Sequence, residues 1–416
     1  SADGILKSIG VNTFDYCFVT IGEDFYASLE ITSILKELGA KYVIAKAKRA
    51  RQVEFLKKIG ADEVVYPDKE IAENLAVRYN ADNILVIGRV GAYCGNAFYS
   101  RNKCWVSDNA IGIILNENVS NIKYIFYFLG KMNIRNLAIG SSQPLITQDI
   151  LKNIEIDLPS LEEQKRIADI LTALDDKIEL NNQMNQTLEE IASLLYKRWF
   201  VDFEFPDDKG NPYKSSGGEM VESELGMIPK GWKVKELGEI SEKIITGKTP
   251  STKDSKNFGE GTPFITIPDM YRKVFTDKTV RHITNYGRKK IQNKLIPKNS
   301  VLVSCIATPG LVSITSKESI TNQQINSIVC KKQNLYFIYE TLLSLKEYII
   351  LLGSGGSTTL NLNKSDFSKI SICYAENRIN KVFYELCDYI FNQIYENQFE
   401  IIKLENMKEE LLKELL

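Results

Sequence analysis

The sequence is poor in the residues on which catalytic and metal chemistry usually depend. It contains one histidine, His282, and its seven cysteines form no C-x-x-C pair. A structural zinc site is therefore not expected, and the cysteine pattern is typical of reduced thiols. No P-loop and no nucleophile elbow occur, and few general bases exist apart from carboxylates. These absences favour a protein without catalytic activity of its own, and no cofactor is expected.

Long apolar runs and an excess of one charge sign are also missing. No apolar stretch reaches the ~18 residues that span a bilayer, and the first residues are polar. We therefore expect a cytoplasmic protein without membrane contact. The net charge is −1, and the hydrophobic content of 44% is ordinary for a globular protein. A length of 416 residues predicts two or more domains.

What the sequence does contain is an internal repeat at an offset of 216 residues, which is clearest in two heptad series. The first series is Ile167, Leu174, Asn181, Leu188 and Leu195, and the second is Phe383, Ile390, Asn397, Leu404 and Leu411. Such spacing predicts two long helices that pair along an apolar seam. We interpret Asn181 and Asn397, which share one heptad position, as a device that sets register rather than as a ligand site.

We assign the residues three places after the first four members of each series to the other seam position. They are Ile170, Lys177, Met184 and Ile191 in the first helix and Leu386, Gln393, Glu400 and Met407 in the second. Ser160 and Glu163 predict a capping box at the start of the first helix, which should run to about Arg198.

The repeat continues outside the helices. Gly140-Ser141-Ser142 matches Gly356-Ser357-Thr358, and Ile154 matches Ile370, with a strand predicted at both isoleucines. With an indel of two residues, 107–111 matches 321–325. Upstream of about residue 84 the repeat fails. Residues 1–80 instead predict alternating strands and helices of a parallel sheet.

These patterns predict an α/β and α+β protein of several domains. Its proposed parts are an N-terminal βαβαβα segment (1–80), the distal part of a first domain (81–158) and a first spacer helix (159–206). A second domain with a leading linker (207–375) and a second spacer helix (376–416) follow.

A basic segment stands out against the near-neutral mean charge. Residues 271–298 hold nine basic residues and one acid, whereas 376–416 has a net charge of −4. A concentrated patch of this kind is typical of phosphate binding, and a solvated surface is the alternative. The candidates for phosphate and major-groove contacts are Arg272, Lys273, Arg281, Arg288, Lys289 and Lys290.

Short polar loops are further candidates for DNA contact, because backbone N–H groups bind phosphate and polar side chains reach base edges. An ordinary turn is the alternative for each of them. The residues are Gly140, Ser141, Ser142 and Gln143, then Lys248, Thr249 and Ser251, and finally Gly356, Ser357 and Thr358.

Several of these features together resemble the specificity subunits of type I restriction-modification systems. The resemblance covers about 82–416 and is most specific at Leu158-Pro159-Ser160-Leu161-Glu162-Glu163-Gln164-Lys165-Arg166-Ile167, which opens the first long helix. Trp199-Phe200-Val201-Asp202-Phe203 continues it, and Gly247-Lys248-Thr249-Pro250-Ser251 resembles the entry of a target-recognition domain.

This resemblance implies two target-recognition domains, each reading one half of a split duplex DNA site. It implies that the two helices pair as an antiparallel coiled coil, set the gap and dock two methyltransferase subunits. Restriction and translocase subunits would join through that complex. Methylation and cleavage would reside in the partners.

Residues 1–80 resemble a different family, the TrkA-type (RCK) nucleotide-binding domain of potassium-uptake regulators. Ile21-Gly22-Glu23-Asp24 and Ile59-Gly60-Ala61-Asp62-Glu63-Val64-Val65 carry the resemblance. Only the second half of the Rossmann-like unit is present, without its G-x-G-x-x-G turn. We interpret this segment as a fusion. A nucleotide-sensing regulator, an enzyme acting alone on DNA and a coiled-coil scaffold are the rival interpretations.

Overall fold

The computed structural model describes residues 6–7, 10–21, 25–47, 50–65, 83–140, 144–271, 273–354, 361–375 and 377–416. The chain divides into two compact units. One unit contains residues 1–173 and 409–416, and the other contains 174–408. Mixed α/β structure and long helices run through both.

The N-terminal part of the first unit is a small parallel sheet. Strands β1 (Cys17–Val19), β2 (Val43–Lys46) and β3 (Glu63–Val65) pair in that order, all in parallel. Helices α1 (Phe25–Glu37) and α2 (Ala50–Lys58) form the crossovers, as the alternating pattern predicted. The third helix of the predicted βαβαβα segment lies outside the described residues.

A second sheet follows in the same unit. Strand β4 (Ile84–Gly88) lies between β5 (Ala97–Ser100) and β6 (Ala110–Ile113), and both neighbours are antiparallel to it. Helix α3 (Ile122–Met132) packs its apolar side chains into this core, and α4 (Gln148–Lys152) is a short helix capped by Thr147.

Helix α5 (Leu161–Tyr196) begins as the sequence predicted and ends in a π-helical turn, Lys197–Val201. The Ser160 Oγ accepts a hydrogen bond from the Glu163 N–H at 3.2 Å. The Glu163 carboxylate, however, binds Arg166 rather than the Ser160 backbone. The capping box is therefore half formed, and an acid in the first turn still suits the positive end of the helix dipole.

The second unit opens with a short hairpin, β7 (Met220–Ser223) and β8 (Gly226–Pro229), and then builds two larger sheets. After the hairpin, strand β9 (Lys233–Glu236) is followed by helix α6 (Leu237–Ile240), which leads into the five-stranded sheet. The five-stranded sheet has the order β10 (Ser241–Thr246), β18 (Ile325–Cys330), β15 (Ser300–Ser304), β16 (Val312–Thr315) and β12 (Phe275–Thr276). The four-stranded sheet has the order β13 (Arg281–Ile283), β11 (Phe258–Ile265), β17 (Ser319–Thr321) and β14 (Leu295–Ile296).

Helices complete the second unit. Helix α7 (Ile267–Met270) and α8 (Asn285–Lys290) are short, whereas α9 (Leu335–Ser344) is almost fully buried. Helices α10 (Lys346–Gly353) and α11 (Lys364–Ser368) precede strand β19 (Ser371–Tyr374), which pairs with β9. Helix α12 (Asn377–Leu415) closes the chain.

Aromatic side chains join the end of α5 to the core of the second unit. The Phe200 ring lies 4.7 Å from Phe337, 4.9 Å from Phe383 and 5.6 Å from Trp232, measured between centroids. The leading linker expected from residue 207 onward is held against this cluster, because Tyr213 stacks on Phe205 at 4.6 Å and Phe205 stacks on Trp232 at 5.0 Å. The aromatic residues of 199–203 therefore have a packing role.

Equivalent contacts recur in the two halves at the 216-residue offset. They are the bridges Val90–Leu145 and Ile306–Asn361, the backbone bonds Ile146–Arg89 and Leu362–Cys305, and the helix caps Thr147 and Asn363. In the helices, the Gln164 amide binds the Pro159 carbonyl and the Asn380 amide binds the Ala375 carbonyl. The repeat is thus one of backbone architecture as well as of sequence.

Two sequence expectations about the repeat are wrong. In the paired strands Gly88 faces Ala110 and Ser304 faces Ile325, so Ala110 rather than Ile111 is equivalent to Ile325. The indel is one residue, because hydrogen-bond register decides equivalence. The strand predicted at Ile154–Ile156 is absent. Its counterpart β19 pairs with β9, which belongs to the domain opening that the first half does not repeat.

The seam of the long helices also differs from the assignment. The first heptad series points inward, with Ile167, Asn181, Phe383 and Asn397 buried. The series three residues later contains exposed members, namely Met184, Ile191, Leu386 and Met407. Residues four places after the first series are buried instead, including Leu171, Ala192, Cys387 and Ile394. At 3.6 residues per turn, positions three and four residues after the first series both lie beside the seam. Tertiary packing buries the positions four residues later.

Hydrogen bonds join the two helices within the second unit. Lys408 binds Asp175 at 2.6 Å, and Asn181 binds Glu400 at 2.8 Å. Asn397 binds Asn185 at 2.9 Å. Partner numbers fall along α12 as they rise along α5. In the first unit, Leu411 and Leu415 pack against the core that contains Ile167 and Leu171.

Candidate nucleic-acid interface

The loop after β10 is pressed against the turn between β17 and β18. The Lys248 N–H donates to the Thr321 carbonyl at 2.9 Å. A Cβ at Gly247 would collide with the backbone carbonyl oxygens of Asn322 and Thr321. Glycine is therefore required here by close backbone approach. The predicted residues Lys248 and Ser251 are exposed on this loop, and Thr249 is half-buried.

The same loop is tied to helix α8 of the basic segment. The Asn257 amide donates to the Ser251 carbonyl at 2.9 Å. The Lys290 Nζ then binds Asn257 Oδ1 at 3.2 Å and Asp254 Oδ2 at 2.9 Å. The structure thus brings the predicted loop residue Ser251 and the predicted cation Lys290 into one cluster.

The charges in this cluster influence one another. The hydrogen bond from Lys290 lowers the pKa of the Asp254 carboxyl. Asp254 and Tyr286 in turn raise the pKa of Lys290, whose Nζ lies 4.0 Å from the centre of the Tyr286 ring. Lys290 therefore stays protonated near neutral pH, although part of its charge is compensated by Asp254.

The other predicted cations of 281–290 differ in their surroundings. The Arg281 guanidinium lies 4.0 Å from the Phe258 ring centre, and it remains exposed. Arg288 forms an ion pair with Glu318 at 2.8 Å. Lys289 is exposed and makes no ion pair within the described part of the chain. A stacked arginine keeps donors free for a ligand, whereas a paired one must exchange its partner.

Lys273 belongs to another surface. With Tyr271 and Lys278 it lines a cavity of about 370 Å³ whose other side is formed by residues of the long helices, among them Asn185, Glu189, Gln398 and Glu405. The prediction grouped Lys273 with the cations of 281–290, and the structure gives it these helix neighbours instead. Strand β12, just after Lys273, belongs to the five-stranded sheet, whereas β13, which begins at Arg281, belongs to the four-stranded sheet.

The remaining predicted contact residues divide into described and undescribed positions. Gly140 is exposed with a φ of 92°, next to the bridge between Ile139 and Leu145. Outside the described residues lie Ser141, Ser142, Gln143, Arg272, Gly356, Ser357 and Thr358.

Two polar residues of this surface escaped the sequence analysis. Asn257 is fully buried and connects the loop to Lys290. Gln323 is exposed at the turn after β17 and accepts a hydrogen bond from Thr249 at 2.7 Å. The only signal was that 321–325 took part in the repeat.

Among the described residues, no group of three or more His, Cys, Asp or Glu side chains is placed to hold a metal ion. Over the same residues, every helix is too short or too polar for a bilayer crossing.

Comparisons with known proteins identify related chains. The sequence profile of the family described as "Type I restriction modification DNA specificity domain" matches twice, at 31–190 and 229–406. The HindI specificity subunit of Haemophilus influenzae is 38% identical over 324 residues, which are 66% of this chain and 70% of that protein. The first profile match begins inside the segment that resembles potassium-uptake regulators.

Two further similarities bear on fold and on the N-terminal segment. The S subunit of a type I restriction-modification system from M. genitalium shares the fold, with a TM-score of 0.52 and 16% identity. That match covers 80% of this chain and 83% of the other. The Ktr system potassium uptake protein C of Bacillus subtilis is 39% identical over 83 residues, 20% of this chain and 38% of that protein. On the two profile matches and the HindI relative, the chain belongs to the specificity-subunit family of type I restriction-modification systems.

Proposed function

We propose that this chain is the non-catalytic DNA-recognition subunit of a type I restriction-modification enzyme and reads a bipartite duplex site. The double family match supports this proposal most strongly, because each match spans sheet structure and most of a long helix. Two copies of one architecture suit two half-sites. No cofactor is needed, because base and phosphate contacts supply specificity and affinity. A cytoplasmic location follows from the same proposal.

The long helices are proposed to pair as an antiparallel coiled coil that sets the gap between the half-sites. The opposite order of the bonds Asp175–Lys408 and Asn181–Glu400 supports this orientation. The acidic outer residues of the helices, such as Glu162 and Glu190, are proposed as a dock for two methyltransferase subunits. Restriction and translocase subunits would join through that complex.

The second recognition domain is proposed to bind DNA through the surface described above. Lys248, Arg281, Lys289 and Lys290 would contact phosphates or guanine edges, since all are exposed cations. The Thr249–Ser251 loop would lie against the duplex. Gly140 and the candidates at 141–143, 272 and 356–358 remain proposals of the same kind.

The domain boundaries 1–80, 81–158, 159–206, 207–375 and 376–416 are kept as a proposal. Residues 1–80 would form a half-Rossmann-like segment fused in place of the opening of the first recognition domain. The parallel order of β1, β2 and β3 supports that view. This fusion would alter recognition of the first half-site.

A second candidate function, nucleotide sensing, is favoured only by the similarity of part of the chain to the Ktr protein. Thermal unfolding of the full chain with NAD, ATP and cyclic nucleotides tests it. A ligand that binds the folded state raises the melting temperature. An unchanged melting temperature with all three would exclude nucleotide sensing by these ligands.

The main proposal is tested by co-expressing the chain with its cognate methyltransferase subunits and mapping methylated sites on genomic DNA. We expect methylation at one split sequence.

A second test measures the affinity of the complex for that duplex at increasing salt concentration. The logarithm of the affinity should fall steeply with the logarithm of the salt concentration, by a slope of about 0.9 per phosphate contact. Lys289→Gln should reduce that slope by about 1, whereas Lys233→Gln, the same charge change at an exposed position of β9, should not. Methylation without sequence preference, or a flat salt response, would contradict the proposal.

A further inference from the structure

Gln323 stands at the apex of a turn that other residues hold in place. The turn joins β17 to β18, and the Gln323 side chain is exposed. Asn322 Oδ1 accepts the Gln324 N–H at 3.1 Å, and Asn322 Nδ2 donates to Gln324 Oε1 at 2.9 Å. The Asn322 N–H donates to the Ile265 carbonyl at 3.1 Å. These three bonds hold the turn without any contribution from the Gln323 side chain.

The Gln323 amide is nevertheless oriented. The Thr249 Oγ–H donates to Gln323 Oε1 at 2.7 Å. The Thr249 loop is itself held by the bond from Lys248 to Thr321 and by the close approach of Gly247 to the turn. The oxygen accepts from Thr249, whereas the Nε2 donors of this exposed side chain have no partner among the described residues.

A carboxamide in this state offers a defined hydrogen-bonding pattern. Two N–H donors are available, and Oε1 keeps one lone pair beside the one that Thr249 occupies. A donor next to an acceptor matches the major-groove edge of adenine, where N7 accepts and the N6 amino group donates. Guanine presents two acceptors there, so it has no donor for the remaining lone pair of Oε1. The exposed cations Lys248, Lys253, Lys256 and Lys289 lie in the adjoining loop and helix and suit flanking phosphates.

We infer that Gln323 is a base-contact residue that reads an adenine in the half-site of the second domain, and that Thr249 is its positioning residue. This inference rests on the proposed function and deepens it to one residue and one base. A structural role is not needed, because Asn322 and the backbone already hold the turn.

The test compares four variants in the full chain with its methyltransferase subunits. Gln323→Glu keeps the shape but removes the donors, and Gln323→Ala removes the amide. Thr249→Val removes the orienting hydroxyl, and Thr249→Ser retains it. Methylation rates are measured on duplexes in which each base pair of the site is replaced in turn, and thermal unfolding of each variant checks the fold.

We expect Gln323→Glu and Gln323→Ala to lower methylation of the native site about 10- to 100-fold and to erase the preference for adenine at one position only, as expected for loss of a bidentate base contact. Thr249→Val should weaken the preference at that same position, and Thr249→Ser should restore it. Unchanged preferences, an equal loss at all positions, or selection of a base other than adenine would overturn the assignment. If the wild-type complex showed no sequence preference at all, the proposed function itself would fail. A wild-type preference that the variants leave unchanged would overturn only the assignment of Gln323.

Discussion

Asn181 donates a hydrogen bond to Glu400 at 2.8 Å, although its heptad counterpart in the second helix is Asn397. Asn397 instead binds Asn185 at 2.9 Å and accepts a bond from Gln393. The two asparagines therefore occupy equivalent positions with different partners. Within the described residues, the Asn181 Oδ1 is buried without a hydrogen-bond partner, whereas both polar atoms of Asn397 are satisfied.

This difference predicts unequal effects of removing the two amides. Asn181→Leu should stabilise the chain more than Asn397→Leu, by a difference of about 1 kcal/mol, because only the first removes an unsatisfied buried carbonyl. Glu400 keeps Lys177 as a partner at 3.2 Å in that variant. Urea unfolding of the two variants and the wild type measures the difference. Equal or reversed effects would contradict this account of the pairing.

The buried carboxyl of Glu340 should make the stability of the protein depend on pH. This carboxyl on α9 is buried, and burial together with the nearby Glu189 raises its pKa to about 7, against the lowering effect of its 2.8 Å bond from Ser193. A carboxyl whose pKa is raised by folding contributes stability that is complete below its unfolded pKa, about 4.5. That stability is lost as the pH rises through 7, at a cost of about 3 kcal/mol.

Glu340→Gln should therefore be more stable than the wild type at pH 8 and nearly equal to it at pH 4.5, because the amide still accepts from Ser193 and never ionises. Glu347→Gln, an exposed change on the next helix, serves as the control and should have little effect at either pH. Unfolding free energies measured from pH 4.5 to 8 decide. A constant difference between Glu340→Gln and wild type across that range would count against a raised pKa.

The Phe383 ring on α12 should stabilise the protein by packing against the aromatic residues at the end of α5. Its ring is fully buried and lies 5.9 Å from Trp199 and 4.9 Å from Phe200. Phe383→Ala should lower the free energy of unfolding by about 3–5 kcal/mol, because it removes apolar contact and leaves a cavity. Phe399→Ala, at a half-exposed position of the same helix, should cost much less. Denaturant unfolding at constant m-value is the measurement, and similar losses in both variants would be inconsistent with this core.

Gly247 predicts a steric effect at the candidate interface. Gly247→Ala places a methyl group against the carbonyl oxygens of Thr321 and Asn322, so the loop must move away from the turn. We expect a loss of about 1–3 kcal/mol in stability and weaker duplex binding. Gly130→Ala, in a helix where an added Cβ meets nothing within 4 Å, should instead stabilise by about 0.5–1 kcal/mol. Thermal unfolding measures the stability of both variants, and duplex titration measures their affinity for DNA. If Gly247→Ala bound the duplex as tightly as the wild type, the loop would not be part of the interface.

Much of the architecture could be predicted because it depends on local pattern. Heptad spacing such as that of Ile167 and Leu174 predicts a helix. Alternation of short apolar runs with helices predicts the parallel strands at 17–65. The internal repeat was readable for the same reason, since matching residues such as Asn181 and Asn397 recur at a fixed offset. Where two spacings were equally compatible with 3.6 residues per turn, as for Met184 against Asn185, sequence periodicity had no means to choose.

The candidate interface shows the same division. Composition identified the basic segment 271–298, because charge is a property of residue identity. It could not separate Lys273, which faces the long helices, from Lys290, which binds Asp254. Nor could it indicate Gln323, whose bond to Thr249 joins residues that lie far apart in the chain.

By itself, the sequence determined the two long helices, the repeat, the charge distribution and the family, since each depends on residue identity and spacing along one chain. Only the tertiary structure decided the seam of α5 and α12, the one-residue indel and the partners of Asn181, Lys290 and Gln323. Those features depend on strand register and on contacts between distant segments, which are selected when the whole core packs rather than by any local preference.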